Sequence, residues 1–282
     1  MVYDKISGFS DEIAVEADTQ FQVLNKLGIR YFEPRGIDGK NISALSEDEV
    51  EALKEKMGAY GISVSSIGSP IGKVKLSESF EEHFELFKNV VKTANILNAK
   101  YIRMFSFYHD GEDWSEAERA EVLAHLKKMI DYAGEHEIVL LHENEKGIYG
   151  DTAKRCLDLM EELSCDHFKA VFDPANFVQC GQDTKEAYEM LKPYIAYMHI
   201  KDSRFADGRV VPAGVGDGNV EYILTDLFEN GYDGFLSLEP HLGKFAGLKD
   251  LELDDKMMDL PEGGEGTFTL AYRALAGILE RI

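Results

Sequence analysis

Short apolar runs alternate with amphipathic stretches eight times along the 282 residues of this chain. Apolar runs of this kind predict buried parallel strands, and the longer stretches between them predict crossover helices. Eight strand–helix pairs favour a single α/β domain in the form of a closed (β/α)8 barrel. A doubly wound open sheet is the main alternative, but no Gly-x-Gly-x-x-Gly sequence follows the first predicted strand to support it.

The predicted elements cover the chain from end to end, so we expect one barrel domain over residues 1–282. Ser46-Glu-Asp-Glu49 opens the second helix with a capping-box pattern, and Gly28 and Gly61 are placed to end the first two helices. The strands are expected near residues 5–9, 29–33, 62–67, 101–105, 139–143, 170–173, 195–198 and 235–239. The helices are expected over residues 12–27, 46–61, 79–97, 115–136, 152–163, 184–191, 219–230 and 266–282.

Two predicted connections, 201–218 and 241–265, are longer than the roughly two to six residues usual between barrel elements. Each follows a strand, so both are expected at the face of the barrel where active sites lie. We interpret them as lids over a pocket, with Gly263, Gly264 and Gly266 as hinges of the second. Ordinary flexible loops or contacts between subunits are the alternative interpretation.

The composition argues against several classes of partner. A formal net charge of −22 disfavours nucleic acid, because such binders neutralise phosphates with Lys and Arg. No apolar run approaches the roughly 18 to 20 residues that span a bilayer, and the first residues lack the order of a secretory signal. We therefore expect a cytoplasmic protein without membrane contact, in which Cys156, Cys165 and Cys180 are reduced thiols.

Four successive predicted strands end in a residue that can bind a metal. These residues are Glu143, Asp173, His199 and Glu239. Taken singly, each carboxylate would be expected to cap a turn or pair with a lysine, and the imidazole to be hydrogen-bonded. Four polar groups that converge on one barrel mouth are costly unless a cation or a substrate satisfies them. Three carboxylates and one imidazole suit Mn²⁺ or Mg²⁺, with Co²⁺ also plausible, better than a structural Zn²⁺.

Each of these four residues lies in a short motif. The motifs are His142-Glu-Asn144, Phe172-Asp-Pro-Ala-Asn176, His199-Ile-Lys-Asp202 and Leu238-Glu-Pro240, together with a Pro-x-Gly-x-Gly loop within 211–217. They resemble the xylose isomerase-like TIM barrel family of sugar isomerases and epimerases, which includes ketose 3-epimerases. The resemblance covers essentially the whole chain in order. The family also includes aldose–ketose isomerases, dehydratases of inositol-pathway compounds and of dehydroshikimate, and an endonuclease branch, so the motifs do not specify the substrate.

The resemblance implies that Glu143, Asp173, His199 and Glu239 bind one divalent cation and that the two glutamates act as acid and base. Coordination of a ketose carbonyl and the adjacent hydroxyl would acidify the carbon-bound proton and stabilise an enediolate. Two glutamates on opposite faces of the sugar would invert a carbon centre. One well-placed glutamate would instead move the proton between neighbouring carbons, which is aldose–ketose isomerisation.

Four further residues are predicted to contact the substrate. Arg204 lies where related enzymes often carry an arginine, although it can equally be a surface-loop residue. Asn176 stands where epimerases of the family often have a histidine, and an amide binds a hydroxyl but accepts no proton at neutral pH. Glu33 and Arg103 end two other strands and are predicted to bind hydroxyls, with a local salt bridge as the alternative. Supporting roles near the metal are expected for Lys201, Asp202, His142 and His241.

The favoured function is thus a divalent-metal-dependent sugar isomerase or epimerase that acts on a neutral ketose or related polyol. A metal-dependent dehydratase of an inosose or similar keto-polyol is the nearest alternative, because the same intermediate can expel a β-hydroxyl. An endonuclease of the family needs several more histidines, and Asn176 occupies the position of one of them. A non-catalytic sugar-binding barrel is the remaining class. Related barrels often form homo-oligomers, but no residue pattern here establishes one.

Overall fold

The computed structural model describes residues 3–111, 113–246 and 261–282. The strands in chain order are β1 (Ile6–Gly8), β2 (Tyr31–Phe32), β3 (Gly36–Ile37), β4 (Lys40–Asn41), β5 (Ser63–Val64), β6 (Ile67–Gly68), β7 (Tyr101–Met104), β8 (Val139–Glu143), β9 (Phe168–Phe172), β10 (Ile195–Ile200), β11 (Asp202–Ser203), β12 (Val210–Val211) and β13 (Phe235–Leu238). Seven of them form one parallel sheet, in the order β1, β13, β10, β9, β8, β7, β6.

The gap between the two edges of this sheet is filled by β2 and β5, which pair in parallel. The Glu33 N–H donates to the Gly8 carbonyl at 2.9 Å and joins β2 to β1. On the other side, β5 is followed after two residues by β6, the opposite edge of the sheet. The strands therefore close into a ring with eight positions, and the predicted (β/α)8 barrel is confirmed.

The helices surround the ring, and their ends follow local sequence signals. Ser46 and Glu49 form the predicted capping box of the second helix, which ends at Gly61 with a left-handed φ of 66°. The helices are α1 (Ala17–Lys26), α2 (Glu47–Tyr60), α3 (Phe80–Ile96), α4 (Glu116–Glu135), α5 (Ala153–Leu163), α6 (Pro174–Gln179), α7 (Thr184–Leu191), α8 (Val220–Glu229) and α9 (Glu265–Leu279). No helix within the described ranges is long and apolar enough to cross a membrane.

Three elements differ from the sequence-based expectation. The first helix begins at Ala17 rather than near residue 12, because Ser10–Glu12 forms a separate 3-10 turn. The third strand is divided into β5 and β6. The short helix α6 was not predicted, although its signal is local: Asp173 caps it by accepting from the Asn176 N–H, and Pro174 occupies the first turn.

The structure describes the first of the two predicted lids completely and the second only in part. The first contains the hairpin of β11 and β12, which pairs Asp202 with Val211. The second lies partly outside the described residues, since 247–260 are not among them. A role in covering the barrel mouth stays a prediction for both segments.

The core has two parts. A large apolar layer fills the space between the strands and the surrounding helices. A smaller cluster of Val139, Leu141, Val171 and Tyr197 is buried separately. Each of these residues lies two or four positions before Glu143, Asp173 or His199 along the chain, so its side chain points into the barrel as theirs do. The lower barrel is therefore packed, and the polar site rests on this packing.

A partly buried histidine of α3, His83, gives a stability prediction that is independent of the site. His83 Nε2 accepts a hydrogen bond from the Gly72 N–H at 2.8 Å, which requires an unprotonated nitrogen. Burial, aided by His125 and opposed by Glu78, lowers the pKa of His83 below its usual value. The unfolded chain therefore binds the proton more readily, and the contribution of His83 to stability is present above about pH 6.5 and lost as pH falls below it.

We expect urea unfolding from pH 7.5 to 5 to show a steeper loss of unfolding free energy for the wild type than for His83→Gln. Parallel curves for the two proteins would contradict this account of His83.

Candidate metal centre

The four predicted ligands meet at one place. Glu143, Asp173, His199 and Glu239 each offer one ligand atom, these atoms all lie within 4.8 Å of one another, and all four residues are buried. Glu143 ends β8, Asp173 follows β9, His199 lies in β10 and Glu239 follows β13. These strands are neighbours in the sheet and parallel, so their carboxyl ends bring the four side chains to the same mouth.

The Glu143 carboxylate is hydrogen-bonded through one of its oxygens and not through the other. Its Oε1 lies 3.1 Å from His199 Nδ1 and accepts from Asn176 Nδ2 at 3.2 Å. Its Oε2 lies 3.3 Å from Arg103 Nε but makes no hydrogen bond within the described residues. Burial alone would raise the pKa of Glu143, but His199 and Arg103 outweigh it and lower this pKa to about 2.

His199 is oriented from below by Glu33. His199 Nδ1 faces the glutamates, and its Nε2 lies 3.3 Å from Glu33 Oε2. That same oxygen accepts from the Tyr197 hydroxyl at 2.9 Å and the Ser237 hydroxyl at 2.7 Å. Burial would lower the pKa of His199, but Glu143 and Glu33 raise it well above its usual value. Glu33 is fully buried and supports the imidazole. This contact with His199 was not predicted from the sequence.

Asp173 is fixed by Asn144, which directly follows the neighbouring strand β8. Its backbone exchanges two hydrogen bonds with the Asn144 side chain, each of 2.9 Å. Its Oδ2 lies 3.3 Å from Lys201 Nζ and makes no hydrogen bond within the described part of the chain. Burial, opposed by Lys201, raises the pKa of Asp173 to about 7. Asn176 donates its backbone N–H to Asp173 Oδ1 and its side-chain amide to Glu143 Oε1, so it links two of the predicted ligands.

Glu239 is enclosed by cations. Its Oε1 lies 3.1 Å from Arg35 and 3.4 Å from His241 Nε2, and its Oε2 lies 3.3 Å from Lys201 Nζ. Burial would raise the pKa of Glu239, but Lys201 and His241 hold it well below its usual value. A carboxylate with these neighbours is ionised and firmly oriented.

Sequence reasoning missed Arg35, which organises the outer side of the centre. Its guanidinium lies over the rings of Phe9 and Phe245, at 4.5 Å and 4.9 Å from their centroids. It pairs with Asp11 through two hydrogen bonds of 2.8 Å and 3.1 Å and also reaches Glu12. Arg35 comes two residues after Glu33 and is therefore close to the end of a predicted strand. This position was the signal in the sequence that could have identified it.

The glycine-rich loop after β12 is folded around Asp202. The Asp202 carboxylate accepts four backbone hydrogen bonds of 2.8–3.0 Å. Their donors are the N–H groups of Ser203, Gly214, Gly216 and Gly218. A side chain at Gly216 or Gly218 would collide with this carboxylate. The loop amides therefore bind an internal anion, and the loop leaves no phosphate cradle at these donors.

Two other predicted residues lie apart from the four ligands. Arg204 is about half exposed and pairs with Asp207 in the hairpin. His142 points away from Glu143, because its Nε2 contacts the Ser106 hydroxyl at 2.9 Å, and burial lowers its pKa to about 4. His241 does lie beside Glu239, as predicted. Roles in substrate binding stay predictions for Arg204, Arg103, Asn176 and Glu33.

Comparison with known proteins agrees with this geometry. A family model described as xylose isomerase-like TIM barrel matches residues 21–256. A 3-dehydroshikimate dehydratase of Bacillus anthracis is 25% identical over 162 residues, which are 57% of this chain and 56% of that protein. The chain thus matches little more than half the length of this relative.

Solved structures extend the similarity to the whole fold. The IOLI protein with a bound zinc atom has a TM-score of 0.78 at 16% identity, with 98% of both chains covered. A D-tagatose 3-epimerase-like protein has a TM-score of 0.73 at 16% identity, with 98% of this chain and 97% of the other covered. At this level of identity the structures establish the fold.

Proposed function

Because this chain belongs to the xylose isomerase-like TIM barrel family, we propose that it is a divalent-metal-dependent isomerase or epimerase of a ketose or related polyol. One observation carries the proposal. Four buried ligand atoms from Glu143, Asp173, His199 and Glu239 lie within 4.8 Å of one another at the mouth of the barrel. Groups of this charge are costly to bury together unless a bound cation or substrate uses them.

The donor set fits a hard divalent cation. Asp173 Oδ2 is buried without a hydrogen bond among the described residues, which suits an atom that binds a metal, and Glu143 Oε1 faces His199 in the same cluster. Three carboxylates and an imidazole favour Mn²⁺, and Mg²⁺ and Co²⁺ are the alternatives. When bound, the cation would supply Lewis-acid polarisation of the substrate carbonyl and its neighbouring hydroxyl.

The two glutamates have different freedom to move a proton. Glu143 Oε2 makes no hydrogen bond in the described structure, so we assign it removal of the proton next to the carbonyl. Glu239 is the second candidate, but Arg35 and His241 hold its Oε1, so proton transfer by Glu239 requires these contacts to loosen. Epimerisation needs both glutamates. Isomerisation between neighbouring carbons needs only Glu143.

Arg103 is the strongest of the proposed substrate contacts. It is 3% exposed, lies 4.6 Å from the centroid of the Phe105 ring, and its Nε makes no hydrogen bond within the described residues. Glu143 Oε2 lies 3.3 Å from this Nε but accepts no hydrogen bond from it, so the buried N–H suits a substrate oxygen. Asn176 and Glu33 are proposed to contribute through the ligands that they contact. Arg204 would act from the hairpin.

We expect Arg103→Met to raise KM about 10- to 100-fold, since a hydrogen bond to a charged group contributes about 1.5–3 kcal/mol. Steady-state kinetics with saturating Mn²⁺ measure this effect. Arg119→Met is the control, because Arg119 pairs with Asp158 on the helical layer. An unchanged KM for Arg103→Met would remove Arg103 from the substrate site.

A dehydratase that acts on an inosose or similar keto-polyol is the second candidate. The dehydratase relative from Bacillus anthracis favours it, as does Glu143 Oε2, which makes no hydrogen bond within the described residues, because elimination needs one base at the carbon next to the carbonyl. A nuclease is disfavoured by the net charge of −22 and by Asn176. The intact ligand set argues against a barrel that only binds sugar.

Incubation with Mn²⁺ in D₂O tests these reactions together. The substrates are ketoses, aldoses, inososes and 3-dehydroshikimate, followed by NMR and mass spectrometry. Deuterium in an isomerised or epimerised product supports the proposed function, and loss of water identifies the dehydratase. Chelation is expected to stop either reaction. Sugar binding that survives chelation, with no exchange for any compound, would identify a binding protein instead.

A further inference from the structure

We propose that Lys201 is a counter-cation built into the metal centre, which competes with the divalent metal for Asp173 and Glu239 and thereby weakens metal binding. The same lysine holds these carboxylates together when no metal is bound. This inference rests on the proposed metal site and concerns its affinity rather than the reaction that follows.

The ammonium of Lys201 is placed between two of the proposed ligands. Its Nζ lies 3.3 Å from Asp173 Oδ2 and 3.3 Å from Glu239 Oε2, and the side chain is 3% exposed. Within the described residues, Lys201 makes the only ion pair to Asp173. Glu239 also pairs with Arg35 and His241, and Glu143 lies beside Arg103 and His199. Asp173 therefore depends on Lys201 more than the other carboxylates do.

The backbone holds this lysine in place. Lys201 directly follows β10 and lies two residues after His199, so both side chains point to the same side of the strand. The next residue, Asp202, is tied to the glycine loop by four hydrogen bonds. Lys201 is thus fixed on its N-terminal side by the sheet and on its C-terminal side by the glycine loop. Within the described residues, both ion pairs of the ammonium are to proposed ligands.

The charges explain why the lysine weakens metal binding. Lys201 Nζ lies against Asp173 and Glu239, two of the carboxylates that would hold the divalent cation, so the ammonium and the metal repel each other and compete for the same oxygens. Without Lys201, Asp173 and Glu239 would have one positive charge fewer beside them and would attract the metal without a competing ammonium. In a buried site such charges are weakly screened. Removal of Lys201 is expected to strengthen metal binding and to destabilise the metal-free protein.

The test compares Lys201→Met with the wild type by titration calorimetry with Mn²⁺ and by thermal unfolding in excess chelator. We expect the Kd for Mn²⁺ to fall at least tenfold in Lys201→Met. The melting temperature of its metal-free form is expected to fall, and that of its Mn²⁺-saturated form to recover most of the loss. Lys201→Arg keeps the charge, so its Kd is expected to stay within about threefold of the wild-type value.

Lys73→Met is the matched control, because Lys73 is also a largely buried lysine but pairs with Glu145, at 2.9 Å, rather than with a ligand. Its Kd for Mn²⁺ is expected to match the wild type. If Lys201→Met does not fold without metal, it is purified with Mn²⁺ and the release of the ion to chelator is timed, with slower release expected.

Equal or weaker Mn²⁺ binding by Lys201→Met, or equal gains in Lys201→Arg and Lys73→Met, would overturn the role of Lys201. A wild-type protein that binds Mn²⁺ but converts no substrate would overturn the proposed reaction. The role of Lys201 would then still be decided by the Kd values of the variants. A wild-type protein that binds no divalent cation would overturn both.

Discussion

Replacement of Glu143 by Gln is expected to lower kcat at least 1000-fold while the barrel still folds. The amide cannot accept the substrate proton, and a general base contributes on the order of 10²- to 10⁴-fold. It also binds a cation more weakly than a carboxylate does. Folding is expected to persist, because a Gln oxygen can still accept from Asn176 at the position of Glu143 Oε1. Turnover is measured with the substrate identified in the D₂O experiment.

Glu145→Gln is the matched control for this variant. Glu145 is only two residues further along the chain, but it pairs with Lys73 and is not among the four ligands. The metal content of both variants is measured alongside kcat, so that loss of the base is separated from loss of the ion. Glu143→Gln that is loaded with metal and retains more than a tenth of wild-type kcat would exclude Glu143 as the base.

The second large effect is expected on stability. We expect Asp202→Asn to lower the free energy of unfolding by about 3–5 kcal/mol, since a buried polar group that loses its partner costs roughly 1–3 kcal/mol. Asp202 Oδ2 accepts from Gly214 and Gly216, and Oδ1 accepts from Ser203 and Gly218. An Asn must turn its NH₂ toward one of these pairs, so two N–H groups that bond the buried Asp202 side chain lose their acceptor.

Chemical denaturation of Asp202→Asn and Asp207→Asn measures this difference. Asp207 lies in the same hairpin but is partly exposed and pairs with Arg204, so its replacement is expected to cost less than about 1 kcal/mol. Similar losses for the two variants would show that the glycine loop does not depend on the Asp202 carboxylate. The comparison requires no substrate.

The part of the site that was predicted from sequence depends on local order along each strand. Glu143, Asp173, His199 and Glu239 come at or just after the end of a buried run, and parallel strands carry such residues to one face. The same reasoning gave the barrel, because every predicted strand and helix has a counterpart in the described structure.

The part that was not predicted depends on contacts between distant residues. Arg35 reaches Glu239, which is 204 residues away, and lies between Phe9 and Phe245. Division of the third strand also has a tertiary cause, since Ser65 bonds the Phe32 carbonyl and the Tyr197 hydroxyl in the barrel interior. Neither contact leaves a periodic pattern in the sequence.

Glu33 belongs both to the wall of the barrel and to its centre. Its N–H joins β2 to β1 through the Gly8 carbonyl, and its carboxylate lies against His199 Nε2. Strands on either side of this junction are short, with three residues in β1 and two in β2. Local separation of the wall at this point would leave the imidazole without its support, although most of the fold would be intact. The stability of the metal centre is therefore limited by local opening between β1 and β2 rather than by the stability of the whole domain.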